Sequence, residues 1–261
     1  MFKRDYFMRQ IEQLTVVLHR ILFHRQKHQF EEAQRLLEEA CRHLLGLNLK
    51  NLELLSTRDI LSLLQINGYT DTGKALVLAD LIKEDGDLQA DRDDMSEAYL
   101  YRLKALDLLL ELSRMPKEEG PNVEADIKPR LLDALQRLDK LQIPLEMRRK
   151  LFGFYAETGA YAKAEDVLFH LLEDLSGERE AYRPKGGDLS NHRIYRDLIL
   201  QGIAFYDKLQ FLDEEALAAG NLSKTEVSET LEQLLLMEVR LRESGEAARL
   251  ALLNDEKGIR S

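Results

Sequence analysis

Apolar residues recur every three to four positions along most of the chain, and this spacing predicts an all-α protein. In the first segment, for example, Phe7, Ile11, Leu14, Leu18 and Ile21 fall on one helical face. Turn and capping residues separate such stripes at short intervals, and Asn67-Gly68 is one clear turn signal. The predicted helices cover residues 4–24, 30–45, 57–65, 71–83, 94–113, 129–138, 144–158, 161–176, 194–205 and 227–241.

Residues 144–177 form the clearest unit, two antiparallel helices joined by a tight turn. Pro144 suits a first helical turn, and Gly159 can adopt the left-handed conformation of a helix end. The segment resembles a tetratricopeptide-type hairpin, although Phe152 stands where that family usually has a small residue. The matching residues are Leu151, Tyr155, Gly159, Tyr161, Ala164, Leu168 and Leu171. We therefore expect an irregular array of antiparallel helical hairpins that is tetratricopeptide-like.

The strongest candidate boundary is the segment 115–122, which contains two prolines and a glycine. It predicts an N-terminal helical region at 1–115 and a C-terminal hairpin region at 123–250, packed continuously on the first. Residues 251–261 are expected to form a frayed tail. The acidic stretch 84–94 is interpreted as a linker or a solvated helix start. The patternless segment 177–192 is a candidate contact loop.

Composition and charge narrow the possible partners and compartments. The net charge of −10 argues against nucleic acid and anionic membranes as partners. No apolar run reaches the ~20 residues of a membrane span, and the N-terminus lacks a signal-peptide pattern. The single cysteine, Cys41, cannot form an intramolecular disulfide. A cytoplasmic protein is the expected result.

The opening helix carries a motif, DYFMRQIEQLTVVLHRILF, in which Asp5, Tyr6, Arg9, Ile11 and Leu14 are the distinctive positions. The motif resembles that of an uncharacterised bacterial family, a domain of unknown function, and the resemblance extends over about the first 115 residues. It implies a helical bacterial protein without a known activity. The charged pair in this motif is four residues apart, so it is either a surface ion pair or part of a binding site.

One segment, GYTDTGKA at residues 68–75, fits the glycine and lysine spacing of a phosphate-binding loop. Ala75 replaces the Ser or Thr that binds magnesium in such loops, and a preceding strand is not predicted. An ordinary helix–turn–helix corner is therefore the preferred interpretation. A nucleotide- or anion-responsive regulator or enzyme remains the alternative function.

The remaining polar clusters predict no metal, cofactor or catalytic site. His24 and His28 could share a helical face, but the surrounding basic residues oppose a divalent cation. Cys41 and His43 are two positions apart and so point in different directions. The chain also lacks the common metalloprotease, nucleophile-elbow and di-iron motifs.

These observations favour a non-enzymatic helical-repeat interaction or scaffold protein that binds a protein or peptide partner. Its candidate partner-binding residues are Asp5, Tyr6 and Arg9 in the opening motif and Arg148 and Arg149 in the central hairpin. A structural homo-oligomer is the second alternative, because apolar helix faces can pair across a two-fold axis.

Overall fold

The structure, a computed structural model, describes the backbone of residues 2–52, 54–116, 121–138, 142–176 and 189–258. Side chains are described for residues 13–52, 54–116, 121–138, 142–176 and 192–243. Within these residues the protein is all-α, as the apolar spacing predicts, with twelve α-helices and one small two-stranded sheet.

The elements follow one another with short connections. The helices are α1 (Phe2–Gln26), α2 (Phe30–Ala40), α3 (Leu49–Leu52), α4 (Thr57–Leu63), α5 (Thr72–Asp91), α6 (Met95–Ser113), α7 (Lys128–Arg137), α8 (Leu145–Glu157), α9 (Tyr161–Ser176), α10 (Leu189–Leu209), α11 (Glu214–Ala219) and α12 (Lys224–Gly258). The strands are β1 (Gln65–Ile66) and β2 (Tyr69–Thr70). Single π-helical turns follow α2 at Cys41–Leu45 and precede α7 at Val123–Ile127.

The chain divides into two compact units, Met1–Ile143 and Pro144–Ser261. In the first unit α5 contacts α1, α2 and α6, and α7 packs on α6. The segment after residue 122 therefore packs with the helices that precede it. A compact unit is not by itself an independently folding domain. The predicted division of the chain into domains at 1–115 and 123–250 with a tail at 251–261 therefore stays a prediction.

The interpretation of the acidic stretch 84–94 as a linker is wrong, and residues 84–88 are buried and not solvated, whereas Asp93 and Asp94 are exposed and Asp94 caps α6. Residues 84–91 are the second half of α5, and Glu84, Asp85 and Asp87 are buried there. Gly86 lets α5 approach α6 closely, because a Cβ at this position would lie 3.1 Å from the Cβ of Tyr101. Glu84 and Asp87 are paired there with cations that include Arg25 of α1, and Asp85 Oδ1 accepts a hydrogen bond from Gln89 Nε2 at 2.8 Å.

In the second unit α8 packs on α9, α9 on α10, and α10 on α12. Gly159 has φ of +75°, so the predicted left-handed helix end is confirmed. The backbone N–H of Ala162 donates to Gly220 O at 3.0 Å, and a Cβ at residue 220 would lie 2.2 Å from Tyr161 Cδ2. This close approach fixes the turn of the hairpin against the end of α11.

The predicted apolar stripes of the central hairpin are buried, including Leu151, Phe154, Ala164, Leu168 and Leu171. The core also contains an aromatic cluster, in which Phe205 meets Phe152 at 5.5 Å and Tyr206 at 4.9 Å between ring centroids. The hairpin architecture is therefore clear, while its tetratricopeptide likeness stays a prediction. Most of the candidate contact loop at 177–192 lies outside the described residues.

Candidate functional site

A short β-hairpin connects α4 to α5 in the first unit. Asn67 and Gly68 form its turn with φ of 54° and 83°, the left-handed conformations that two-residue hairpin turns favour. The predicted Asn-Gly turn is confirmed. The prediction of a helix–turn–helix corner is wrong, because one short strand precedes this turn and another follows it.

Three large apolar side chains are exposed around this hairpin. Ile66 lies directly opposite Tyr69 in the antiparallel register, so both side chains project from the same face. They are 52% and 59% exposed, and Leu63 at the end of α4 is 55% exposed. We name Leu63, Ile66 and Tyr69 the hairpin surface. Within the described residues β1 and β2 pair only with each other, and no third strand extends the sheet at either edge.

The segment that resembles a phosphate-binding loop begins in this hairpin and ends inside α5. Gly68 belongs to the turn, whereas Gly73 is buried in the first turn of α5. The carboxylate of Asp71 caps the helix and accepts a hydrogen bond from Lys74 N at 3.1 Å. A phosphate at this helix end would compete with a carboxylate already in place. The geometry therefore differs from a loop whose backbone N–H groups face a nucleotide.

A buried charge cluster joins four helices of the same unit around Asp87. Arg102 Nη2 lies 3.0 Å from Asp87 Oδ1, and Arg25 Nη1 lies 3.8 Å from Asp87 Oδ2. Arg137 Nη1 also pairs with Asp87 Oδ2. Arg25 Nη1 donates to Glu84 Oε2 at 2.8 Å. One carboxylate of α5 thus receives guanidinium groups from α1, α6 and α7, and we name this arrangement the Asp87 cluster.

Toward its solvent-facing side, the cluster continues through Lys83, whose Nζ lies 2.8 Å from Asp133 Oδ2. Burial raises the pKa of Asp133, but Lys83 and Arg137 outweigh burial and hold that pKa below its usual value. Burial lowers the pKa of Lys83, but Asp133 and Glu84 outweigh it and hold that pKa above its usual value. Both groups therefore remain charged near neutral pH.

The charges in and beside the Asp87 cluster compensate one another. Four cations, Arg25, Lys83, Arg102 and Arg137, accompany four anions, Glu84, Asp87, Asp91 and Asp133. Hydrogen bonding is less complete, because Arg102 Nε makes no hydrogen bond with the described residues and Asp87 Oδ2, although it is ion-paired with Arg137, makes none with them either. A compensated cluster holds helices in register, so the hairpin surface is the better candidate for binding a partner.

The predicted binding arginines of the central hairpin are engaged within their own unit. Arg148 Nη1 donates to Asp174 Oδ2 at 2.6 Å and so links α8 to α9. Arg149 Nη1 donates to Glu146 Oε1 at 3.3 Å along α8. The other predicted residues, Asp5, Tyr6 and Arg9, lie on α1, but their side chains fall outside the described part of the structure. A role for any of the five in partner binding stays a prediction.

The histidines and the cysteine considered for chemistry do not come together. His24 Nδ1 donates to Gln29 Oε1 at 2.7 Å, while His28 ends the helix region with φ of 55°. Burial, with a smaller contribution from the Asp85 carboxylate, raises the pKa of Cys41 to about 12. In the part of the chain with described side chains, no group of three or more His, Cys, Asp and Glu residues could hold a metal ion.

The sequence of this all-α protein was compared with models of known protein families. A family model described as a family of unknown function (DUF6483) matches residues 1–183 and 188–238. The chain therefore belongs to this family. The predicted membership in a family of unknown function is confirmed, and the match extends far beyond residue 115. No curated protein and no solved structure matches the chain.

Sequence reasoning missed both the hairpin surface and the Asp87 cluster. The Asn-Gly turn was a usable signal for the hairpin, but strands of two residues are too short to show an alternating pattern. For the cluster, the usable signal was the presence of apolar residues on both sides of the acidic run.

No helix in the described segments has the length and apolar character needed to cross a bilayer.

Proposed function

We propose that this protein is a non-enzymatic interaction protein that binds an apolar segment of a partner protein at the hairpin surface. The observation that supports the proposal is the exposure of Leu63, Ile66 and Tyr69 within seven consecutive residues. Contiguous exposed apolar side chains are a common feature of interaction sites, and aromatic residues are enriched at interfaces.

The two-stranded sheet, which no third described strand extends, suggests the form in which the partner binds. An extended peptide can add a strand to an exposed edge, where backbone hydrogen bonds contribute affinity and alternate side chains contribute specificity. A peptide paired with β1 or β2 would place its apolar side chains beside Ile66 and Tyr69. The expected partner is therefore an extended segment with alternating apolar residues, acting in the cytoplasm.

The nucleotide-responsive alternative has weaker support. Its loop would have to release the hydrogen bond between the Asp71 carboxylate and Lys74 N before a phosphate could take that position. Ala75 also supplies no hydroxyl for magnesium. The favoured function therefore uses the apolar face of the hairpin and not the N-terminus of α5.

The proposal can be tested by affinity capture from a lysate of the source cells with three baits. The baits are the wild type, an Ile66→Ser/Tyr69→Ser variant and a Leu54→Ser control. Leu54 is an exposed leucine elsewhere in the same unit, so the control reports general loss of surface hydrophobicity. We expect at least one protein that the wild type and the control retain and the hairpin variant loses.

The captured protein is then titrated against the same three purified baits by calorimetry. We expect the hairpin variant to bind at least about tenfold more weakly than the wild type, a loss of about 1.4 kcal/mol. Circular dichroism of each bait checks that the helical fold is retained. Identical sets of captured proteins for all three baits would contradict the proposal.

A further inference from the structure

The long helix α12 has two unlike sides in the second unit. One side packs on α10 with Val227, Leu231 and Leu234 buried. The contact is close, because a Cβ placed at Gly202 would lie 3.0 Å from Leu234 Cδ1. The opposite side of α12 therefore faces away from the core of its own unit.

That outer side carries large apolar residues where a solvated helix would carry polar ones. Leu236 is 52% exposed and Val239 is 49% exposed, and the exposed Leu235 lies at the flank. Residues four apart lie nearly above one another on a helix. Glu232, Leu236 and Arg240 consequently form one row along the outer side. We name this row, with Val239 beside it, the outer face of α12.

Charge is distributed unevenly along the outer face. Glu232 is exposed one turn on the N-terminal side of Leu236, and Arg240 is exposed one turn on its C-terminal side. Glu229 and Glu243, both exposed, lie seven residues from Leu236 on either side, so each end carries an acidic residue beyond this row. Neither Glu232 nor Arg240 forms an ion pair with any side chain that the structure describes. Read along the helix, the row is acidic, then apolar, then basic.

We propose that two copies of this chain associate through the outer faces of α12 in antiparallel orientation, with Leu236 on the two-fold axis. Residues four apart are about 6 Å apart along the helix, so Glu232 of each copy then faces Arg240 of the other. The two-fold axis repeats this ion pair on both sides of the apolar centre. Glu229 of each copy then lies opposite Glu243 of the other, and this like-charge contact weakens the dimer. A parallel, in-register pairing would instead oppose acid to acid and base to base.

The size of the outer face sets the expected strength of the dimer. A standard stable interface buries about 800 Å² on each partner, and three half-exposed apolar side chains cover only part of that area. The dimer should therefore be weak and reversible, with charge complementarity selecting its orientation. This self-association involves none of the residues of the hairpin surface.

Sedimentation of the full-length protein from about 1 µM to about 1 mM tests the proposal directly. Glu232→Arg and Arg240→Glu should each weaken dimerisation at least about tenfold, because each opposes like charges twice across the axis. The double variant Glu232→Arg/Arg240→Glu restores opposite charges and should return to within about threefold of the wild type. The matched control is Glu157→Arg, which makes the same charge reversal at an exposed position on α8.

Mixing the two charge-reversed variants gives a second and stricter test of the proposed contact. Glu232→Arg and Arg240→Glu chains, each weakly associating alone, should form a mixed dimer, because every facing pair then has opposite charges. Thermal unfolding of each variant checks that these exposed substitutions leave the fold intact. A wild type that stays monomeric over the whole range overturns the proposal, and so does a dimer that Glu232→Arg does not weaken.

Discussion

Replacing Asp87 by Asn removes one buried charge while keeping the shape of the side chain. Asp87 is 2% exposed, and the Arg102 guanidinium lies 3.0 Å from it. At an effective dielectric constant of about 20, a pair at 3.0 Å attracts with about 5 kcal/mol before desolvation is subtracted. The amide would also present N–H donors to guanidinium groups that are themselves donors. Breaking a buried pair from one side costs about 3–5 kcal/mol net.

Hydrogen exchange followed by mass spectrometry measures this cost on α5 itself, without assuming that the two units unfold together. A loss of about 3–5 kcal/mol corresponds to exchange faster by about a hundredfold to a few thousandfold. Glu31→Gln is the matched control, because Glu31 pairs with Arg92 at 3.2 Å but is 97% exposed. Its loss should stay below about 1 kcal/mol. Equal, small effects of Asp87→Asn and Glu31→Gln would refute the reasoning.

Three further outcomes follow from packing and ionisation. Gly220→Ala should lower the free energy of unfolding by about 1–3 kcal/mol through overpacking, whereas Gly153→Ala, which meets nothing within 4 Å, should be neutral or stabilising in thermal unfolding. The pKa of Asp133 is lowered in the fold and that of Lys83 is raised. The contribution of this pair to the free energy of unfolding is therefore lost as pH falls through the folded pKa of Asp133, or as pH rises through the folded pKa of Lys83. The difference in stability between the wild type and Asp133→Asn should be larger at pH 7 than at pH 3, and an unchanged difference would contradict this. Cys41, with its pKa raised to about 12, should react with a thiol reagent at pH 8 only after denaturant is added, and rapid labelling of the native protein would show the burial to be wrong.

Local signals in the sequence were sufficient for much of the architecture. The apolar spacing determined the all-α class and the buried side of α9, because a helix must bury one stripe whatever its neighbours are. Ser56 accepts a hydrogen bond from Asp59 N at 3.2 Å, so the cap of α4 depends only on residues close to it in the sequence. The left-handed conformation at Gly159 and the turn at Asn67-Gly68 were likewise expected from residue type alone.

Burial of charge could not be read from local signals. The acidic run through Asp87 looks solvated in the sequence because two of the guanidinium groups that pair with Asp87 are far away along the chain. Arg25 precedes Asp87 by 62 residues and Arg137 follows it by 50. Only packing of α1, α6 and α7 around α5 brings these groups together and makes burial of the carboxylate favourable.

The candidate surfaces show the same division between local and tertiary information. The sequence by itself determined that residues 67–68 turn and that residues 227–241 form an amphipathic helix, because turns and apolar stripes arise from neighbouring residues. Only the tertiary structure decided which apolar side chains stay uncovered, among them Ile66, Tyr69 and Leu236. Exposure depends on what packs against each element, and periodicity alone does not contain that information.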